Sequence, residues 1–245
     1  MYRVLVGVGL LLMLVVPARA DEIHAACERG DLNQVKRLLK KHPGLLETRS
    51  SKNDNTPIFH AIMKGHAEVV AFLVDSGADV RARNKGGFQP IHYSANALKQ
   101  NVEIATILLE AGADPNVRSG TLQVTPLHCA AALNRAKLVR LLLSKGARHS
   151  KDENDDDTMD YAIRERSHEV VKVLLETGYP VNGRERRSIL HNAVGTGDLA
   201  TVKILVEAGA DVNARLDGRW TPRTAAEKWG HPEIASYLAS KGGEK

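Results

Sequence analysis

Two kinds of apolar stretch alternate along this chain. The first is short and opens on a turn-like phrase: TPIFHA at 56–61, QPIHYS at 89–94, TPLHCA at 125–130, DTMDYA at 157–162, SILHNA at 188–193 and TPRTAA at 221–226. The second is an aliphatic block, VVAFLVDS, IATILLEA, LVRLLLSK, VVKVLLET or TVKILVEA, with apolar pairs four residues apart such as Val69-Val70 and Leu73-Val74. That spacing predicts helices with one buried face. Polar phrases follow each block: GADVRAR at 77–83, GADPNVR at 112–118 and GADVNAR at 209–215, with weaker copies GARHSKD at 146–152 and GYPVNGR at 178–184. The unit is therefore a helix pair and a polar loop, repeated.

The punctuation agrees with this pattern. Thr56, Thr125 and Thr221 are suited to cap helix starts, and Pro57, Pro126 and Pro222 fill the first helical position, where no amide is needed. Gly30, Gly65, Gly197 and Gly230 end the first helix of a pair, with Asn134 doing so in the fourth copy. Gly77, Gly112, Gly146, Gly178, Gly209 and Gly242 end the second. The six helix-start phrases are spaced 31 to 36 residues apart. One such hairpin cannot bury its apolar faces alone, whereas stacked neighbours form a continuous core.

The 33-residue unit with its T-P-L-H-x-A phrase resembles the ankyrin repeat. The resemblance runs from about residue 21 to residue 243 and implies an all-α repeat solenoid of helix-turn-helix units with β-hairpin-like loops. About seven repeats are expected, starting near 21, 52, 85, 121, 153, 184 and 217. EIHAACERGDLNQVKRLLKKHPG reads as the N-terminal cap, and the copy from Thr221, ending in SKGGEK, as the C-terminal one. The third copy carries two extra residues around NALKQN, 96–101.

His24, His92, His128 and His191 recur in one slot of four copies. Helix layers lie about 8–10 Å apart, too far for neighbouring copies to share one zinc ion. The resemblance implies that each imidazole bonds the turn of its own repeat and that of the next. His66 and His231 also recur, after a helix-ending glycine. Cys27 and Cys129, three copies apart, should lie roughly 25–30 Å from each other, beyond disulfide reach, as two buried thiols.

The N-terminus has its own pattern: Arg3, an apolar run from Val4 to Val16, and Ala18-Arg19-Ala20, which fits an A-x-A cleavage site. Residues 1–20 read as a secretory signal, leaving 21–245 as the repeat domain. The run is short of the roughly 20 residues a membrane span needs. The expected location is the periplasm, with secretion as the alternative, and no stable membrane insertion after cleavage. The full chain carries 34 Lys and Arg against 29 Asp and Glu, a formal +5; loss of Arg3 and Arg19 lowers this to +3. So mild a charge, with no concentrated basic face, argues against a nucleic-acid partner.

Candidate chemistry is sparse. In the acidic run DENDDD, 152–157, Asp152, Asn154 and Asp156 match the start of a calcium loop, but Asp157 replaces its glycine and Ile163 stands where its glutamate belongs. The following loop GRERR, 183–187, is basic, so Asp155, Asp156 and Asp157 are expected to face Arg184, Arg186 and Arg187. No G-x-S-x-G, H-E-x-x-H or phosphate loop appears. No catalytic residue, metal ligand or cofactor is assigned, and a calcium or small-ligand carrier is a remote alternative.

Positions that vary between copies are the loop tips and first-helix ends, which in ankyrins line the concave face. Here they hold Met63, Phe88, Leu122, Val124, Leu133, Arg164, Glu165, Arg187, Trp220, Lys228 and Trp229. Apolar side chains at positions otherwise facing solvent mark interaction sites, and tryptophan is favoured at their energetic centres. These residues are the expected partner-binding face of a non-catalytic, monomeric protein. Exported ankyrin proteins of this size resemble two kinds of binder: immunity proteins against toxins delivered to the periplasm, and accessory factors for haem catalases in peroxide defence.

Overall fold

Helices as short as four to ten residues do not persist in water by themselves, so their stability must come from packing. The computed structural model describes residues 20–97, 101–182, 188–216 and 218–245. Fourteen α-helices occur among them, in seven consecutive pairs. The pairs are α1 (20–29) with α2 (Leu32–Lys41), α3 (Pro57–Lys64) with α4 (Ala67–Asp75), and α5 (Pro90–Tyr93) with α6 (Asn101–Glu110). They continue with α7 (Pro126–Ala132) and α8 (Ala136–Ser144), α9 (Thr158–Arg164) and α10 (His168–Glu176), α11 (Ile189–Gly195) and α12 (Leu199–Glu207), and α13 (Pro222–Lys228) and α14 (Pro232–Ser240). All of the predicted signal segment except Ala20 lies outside the described residues.

The chain divides into two units. The first runs to Pro126 and includes Lys145–Ala147; the second comprises Leu127–Ser144 and Arg148–Lys245. Ile23, Ile58, Phe59, Ile62, Leu73, Ile91, Ile104 and Leu108 are fully buried in the first. Leu127, Leu138, Leu142 and Met159, with Val170, Leu190, Val202 and Leu238, form the core of the second. The buried side chains come from both helices of each pair, as the apolar spacing predicts.

Left-handed residues reverse the chain between paired helices. Gly65 (φ +78°) donates its amide to Ile62 O, and His66 donates to Ala61 O at 3.0 Å. Asn134 takes the same conformation at φ +52°, as its position predicts. The fifth copy departs from the expectation, because Arg166 occupies the left-handed corner at φ +53°. At Gly30 and Gly197 space matters as well: an added Cβ would lie 2.5 Å from the His66 ring and 2.7 Å from the His231 ring. Those recurring histidines thus lean on the glycine of the preceding repeat.

The loops are tight turns, and the described residues contain no sheet. One isolated bridge joins Leu216 and Trp220; elsewhere single bonds close the loop, such as Asn84 N–H to Phe88 O at 3.0 Å and Ser119 N–H to Val124 O at 2.9 Å. In each GAD phrase the aspartate accepts the amide two residues on, as in Asn116 N–H to Asp114 Oδ1 (2.8 Å) and Asn213 N–H to Asp211 Oδ1 (2.9 Å). The next polar side chain then reaches forward to the helix-ending glycine of the following repeat. Arg81 donates to Gly112 O, Asn116 to Gly146 O and Asn213 to Gly242 O, at 2.9 to 3.2 Å. Loop tips also touch: Gly120 N–H donates to Gly86 O at 3.3 Å, and a Cβ on Gly87 would fall 2.5 Å from Gly120 N.

The histidine slot is the third helical residue, and its occupants share a task. His92 Nδ1 accepts the Gln89 amide (3.1 Å), Asp160 Oδ2 the Asp157 amide (3.0 Å), and Thr224 Oγ1 the Thr221 amide (2.9 Å). The far ring nitrogen crosses to the next loop: His24 Nε2 to Thr48 O (3.1 Å), His92 Nε2 to Val124 O (3.2 Å) and His191 Nε2 to Trp220 O (2.9 Å). Burial lowers the pKa of all three, that of His92 to about 4, so they are neutral at pH 7. His128 is fully buried against the Tyr161 ring, 5.0 Å between centroids.

The second copy differs. Phe59 fills the slot there, and the predicted Thr56 cap works through its backbone, because its carbonyl takes the Phe59 amide while its hydroxyl captures none. In the third copy the first helix shrinks to the single turn α5 and a 3₁₀ turn, Ser94–Asn96, ahead of the predicted insertion. Cys27 is buried and Cys129 half-buried; both are free thiols that burial pushes up to about 12, far from a reactive thiolate.

Candidate partner-binding surface

The ends of α9, α11 and α13 and two loop tips surround a cleft of about 520 Å³ in the second unit. Ile163 is its buried apolar component, while Arg164 and Trp229 stand at helix ends and Leu216 at a loop. Trp229 is the residue after α13, where the polypeptide leaves the helix, so its side chain is not drawn into the core. It leans on the preceding repeat instead: a Cβ at Gly195 would meet Trp229 Cζ3 at 3.6 Å. The glycine leaves room for the indole, which is still 43% exposed.

The polar wall is organised by the helix starts. Asp160 accepts Asn192 Nδ2 at 2.8 Å and the Asp157 amide, tying the fifth repeat to the sixth. Arg164 pairs with Asp156 and lies 5.0 Å from the centre of the Tyr161 ring. Arg166 donates to Thr196 O at 3.2 Å. His191 is 2% exposed, and its Nδ1 has no hydrogen-bond partner. Among the described residues the lining thus combines hydrogen-bonded carboxylates, a guanidinium, a buried imidazole and an exposed indole. The usual elements of covalent chemistry, a nucleophile beside a base and oxyanion donors, do not converge here.

The residues expected from sequence fall into groups. Arg164, Glu165, Lys228 and Trp229 are exposed in the second unit, and Leu133 is 41% exposed there. Trp220 is exposed at its edge, but Lys228 Nζ lies 4.1 Å from the ring centre and covers one face. Arg187 lies outside the described residues. In the first unit Leu122 is 51% exposed, while Met63 and Phe88 are half-buried, Phe88 packing edge-on against His92 and Tyr93.

Val124 is a correction. It is buried, because its amide bonds Ser119 and its carbonyl receives His92, so it belongs to the scaffold. Asp156, a loop-tip residue, lines the cleft, together with Asp160, Asn192 and Leu216, which the sequence pattern does not single out. A partial signal exists, since the slot that holds histidine in four copies holds Asp160 in the fifth.

Two carboxylates of the acidic run, Asp152 and Asp157, are turned inward. Asp157 caps α9, accepting the Met159 amide at 2.8 Å and the Tyr179 hydroxyl at 2.6 Å, and is buried. Asp152 is buried too. Burial alone would raise its pKa, but the Tyr161 hydroxyl and the amides of Asp156 and Asn154 outweigh it and hold the carboxyl below its usual range. Asp155 pairs with Lys151 at 2.9 Å. The arginines at 184, 186 and 187, expected to face this run, lie outside the described residues. Among the described residues no group of three or more His, Cys, Asp or Glu side chains could hold a metal ion, and no helix is long and apolar enough to cross a membrane.

Seven helix pairs joined by polar turns, with side chains of one repeat bonded to the backbone of the next, define a helical repeat protein. A family model for ankyrin repeats matches at residues 23–119, 118–185 and 178–245, and the chain belongs to that family. The chain is 28% identical over 217 residues to the transient receptor potential channel pyrexia of Drosophila melanogaster, covering 80% of this chain and 22% of that protein. It is 42% identical over 74 residues to protein phosphatase 1 regulatory subunit 27 of Mus musculus, covering 30% and 46%. The ankyrin repeat domain of human ASB11 superposes with a TM-score of 0.75 at 20% identity, covering 88% of this chain and 96% of that one. The first three curated relatives are much longer proteins, of which the match covers 22%, 37% and 18%. Domains of this family are typically protein-interaction modules and usually non-catalytic.

Proposed function

We propose that this protein is exported and holds a protein partner through its loop tips and first-helix ends, with Trp229 as the anchor. The observation that carries the reading is the exposed indole beside a 520 Å³ cleft in a scaffold whose other large side chains are mostly packed. An aromatic side chain already held against Gly195 loses little freedom on binding, a property of interface hot spots. Export rests on the charged, apolar and A-x-A succession of residues 1–20.

The test is capture of a partner from a periplasmic extract by the tagged protein and by Trp229→Ala with Leu133→Ala. The double variant should lose capture while its helicity and melting stay unchanged. Capture at the native level would move the binding site elsewhere. Adding the protein to the captured partner and assaying that partner's activity then separates a helper from an inhibitor. Export is tested separately, by whether the protein recovered from the periplasmic fraction begins near Asp21.

A further inference from the structure

The mild net charge of the chain conceals one concentrated patch. On α2, Val35, Leu38 and Leu39 are buried; the opposite side of the helix holds Lys36, Arg37, Lys40 and Lys41, all exposed and within about 8 Å along its axis. No carboxylate interrupts the helix, and among the described residues none of the four forms an ion pair. The flanking acids are turned elsewhere: Asp31 accepts the Gln34 amide and Glu47 the Asp79 amide, each at 2.9 Å. Residues 1–19, which precede α1, contain no acidic side chain. Other second helices are balanced differently: α4 carries Glu68 and Asp75, α10 pairs Lys172 with Glu169, and Arg140 of α8 pairs with Glu176. Beside the cations runs a groove of about 310 Å³, lined by Lys36 and Lys40, by Phe72 of α4, and by Leu39, Pro43 and Leu46. Pro43 is exposed, Leu46 and Phe72 are half-buried, and Lys36 Nζ lies 5.4 Å from the Phe72 ring centre.

We infer that α2 and this groove dock the protein on an anionic phospholipid surface, with the four cations over lipid phosphates and Pro43, Leu46 and Phe72 at the level of the headgroups. Charge complementarity selects an anionic occupant, because the helix offers four cations and no acid. The groove selects lipid over an acidic protein segment. A peptide would need carboxylates spaced to meet cations one helical turn apart and a side chain shaped to the groove. A bilayer presents phosphates continuously, with apolar matter just beneath them. Lysine suits that boundary, since its stem rests on apolar groups while its ammonium stays at the polar level. Each cation close to an anionic bilayer strengthens binding about fivefold. The patch belongs to the first unit and Trp229 to the second, so lipid docking is a property separate from partner capture.

The test is flotation of the protein, as recovered from the cells that make it, with vesicles of phosphatidylcholine alone or of phosphatidylcholine and phosphatidylglycerol in equal parts. The mixed vesicles should hold it at least about tenfold more strongly, by an amount that shrinks as salt is added. Lys36→Gln with Lys40→Gln should weaken that binding by about tenfold or more. Lys137→Gln with Lys145→Gln removes the same charge at exposed positions elsewhere and should leave it unchanged. If circular dichroism shows that the α2 variant does not fold, Arg37→Gln with Lys41→Gln takes its place. Equal binding to the two kinds of vesicle, or an equal loss from both lysine pairs, would overturn the inference. Displacement by inorganic phosphate at matched ionic strength would reduce the patch to a site for a single anion, which also overturns it. A soluble polyglutamate peptide bound with the same dependence on Lys36 and Lys40, by a protein that ignores the vesicles, would assign the patch to an acidic protein segment instead.

Discussion

Acid should weaken this fold in a way that His92 makes measurable. In the folded protein His92 is 1% exposed, its Nε2–H donates to Val124 O, and its Nδ1 accepts the Gln89 amide. Burial pushes its pKa down to about 4, although its backbone hydrogen bonds work the other way, against 6.5 for a free histidine. The unfolded chain then binds the proton more readily than the folded one. Stability from this group is complete above pH 6.5, falls as pH drops from there towards 4, and is lost below it. Linkage puts the loss between pH 7 and pH 5 at about 2 kcal/mol, and the full loss at about 3 kcal/mol. Urea unfolding of the native protein and of His92→Gln across this range should show a shallower pH slope for the variant. Glutamine can both donate and accept but does not titrate. His24 and His191, whose pKa values are also lowered by burial, supply the slope that remains in both. Carbon-13 shifts of the His92 ring give a second, residue-specific reading, with no titration above about pH 5. Equal slopes in the two proteins, or a ring that titrates near 6.5, would refute the reasoning.

Two substitutions test the backbone corners from opposite directions. Gly87→Ala places a methyl group 2.5 Å from Gly120 N at a residue with φ +74°; it should cost about 2–3 kcal/mol and lower the melting temperature, and a loss below about 1 kcal/mol would show that the two loops part easily. Arg166→Gly relieves a left-handed residue at φ +53° and gives up only an exposed bond to Thr196 O, so the urea midpoint should rise, by about 0.5–1 kcal/mol in stability; a fall would mean that the side chain matters more than the strain.

The repeats were legible because each depends on residues with few substitutes: glycine or asparagine at a left-handed corner, proline at a helix start, aliphatic pairs four apart. Where another residue takes such a position the pattern falls silent. Nothing in the composition marks Arg166 as left-handed, and Phe59 in the histidine slot hides that Thr56 caps without its hydroxyl. The acidic run misled because charge in a loop reads as exposed. Asp157 and Asp152 are instead turned inward by two tyrosine hydroxyls, one of them 22 residues away in sequence. Val124 misled in a similar way: a loop-tip position looks free until its carbonyl is seen to receive the His92 ring. The tryptophans stood out by rarity, but the carboxylates opposite Trp229 come from a different repeat, a proximity that only stacking creates.

At seam after seam, the receiving group is a main-chain oxygen: Thr48, Gly112, Val124, Gly146, Trp220 and Gly242 each offer a carbonyl to the repeat before. Every residue type carries that oxygen, so a donor need not know which amino acid it will meet. Adjoining modules can therefore diverge, duplicate or be shuffled without renegotiating their joint, and selection is left free to rewrite the outward-facing lettering. A joint built from matched side-chain pairs would have required two coordinated changes for each such step.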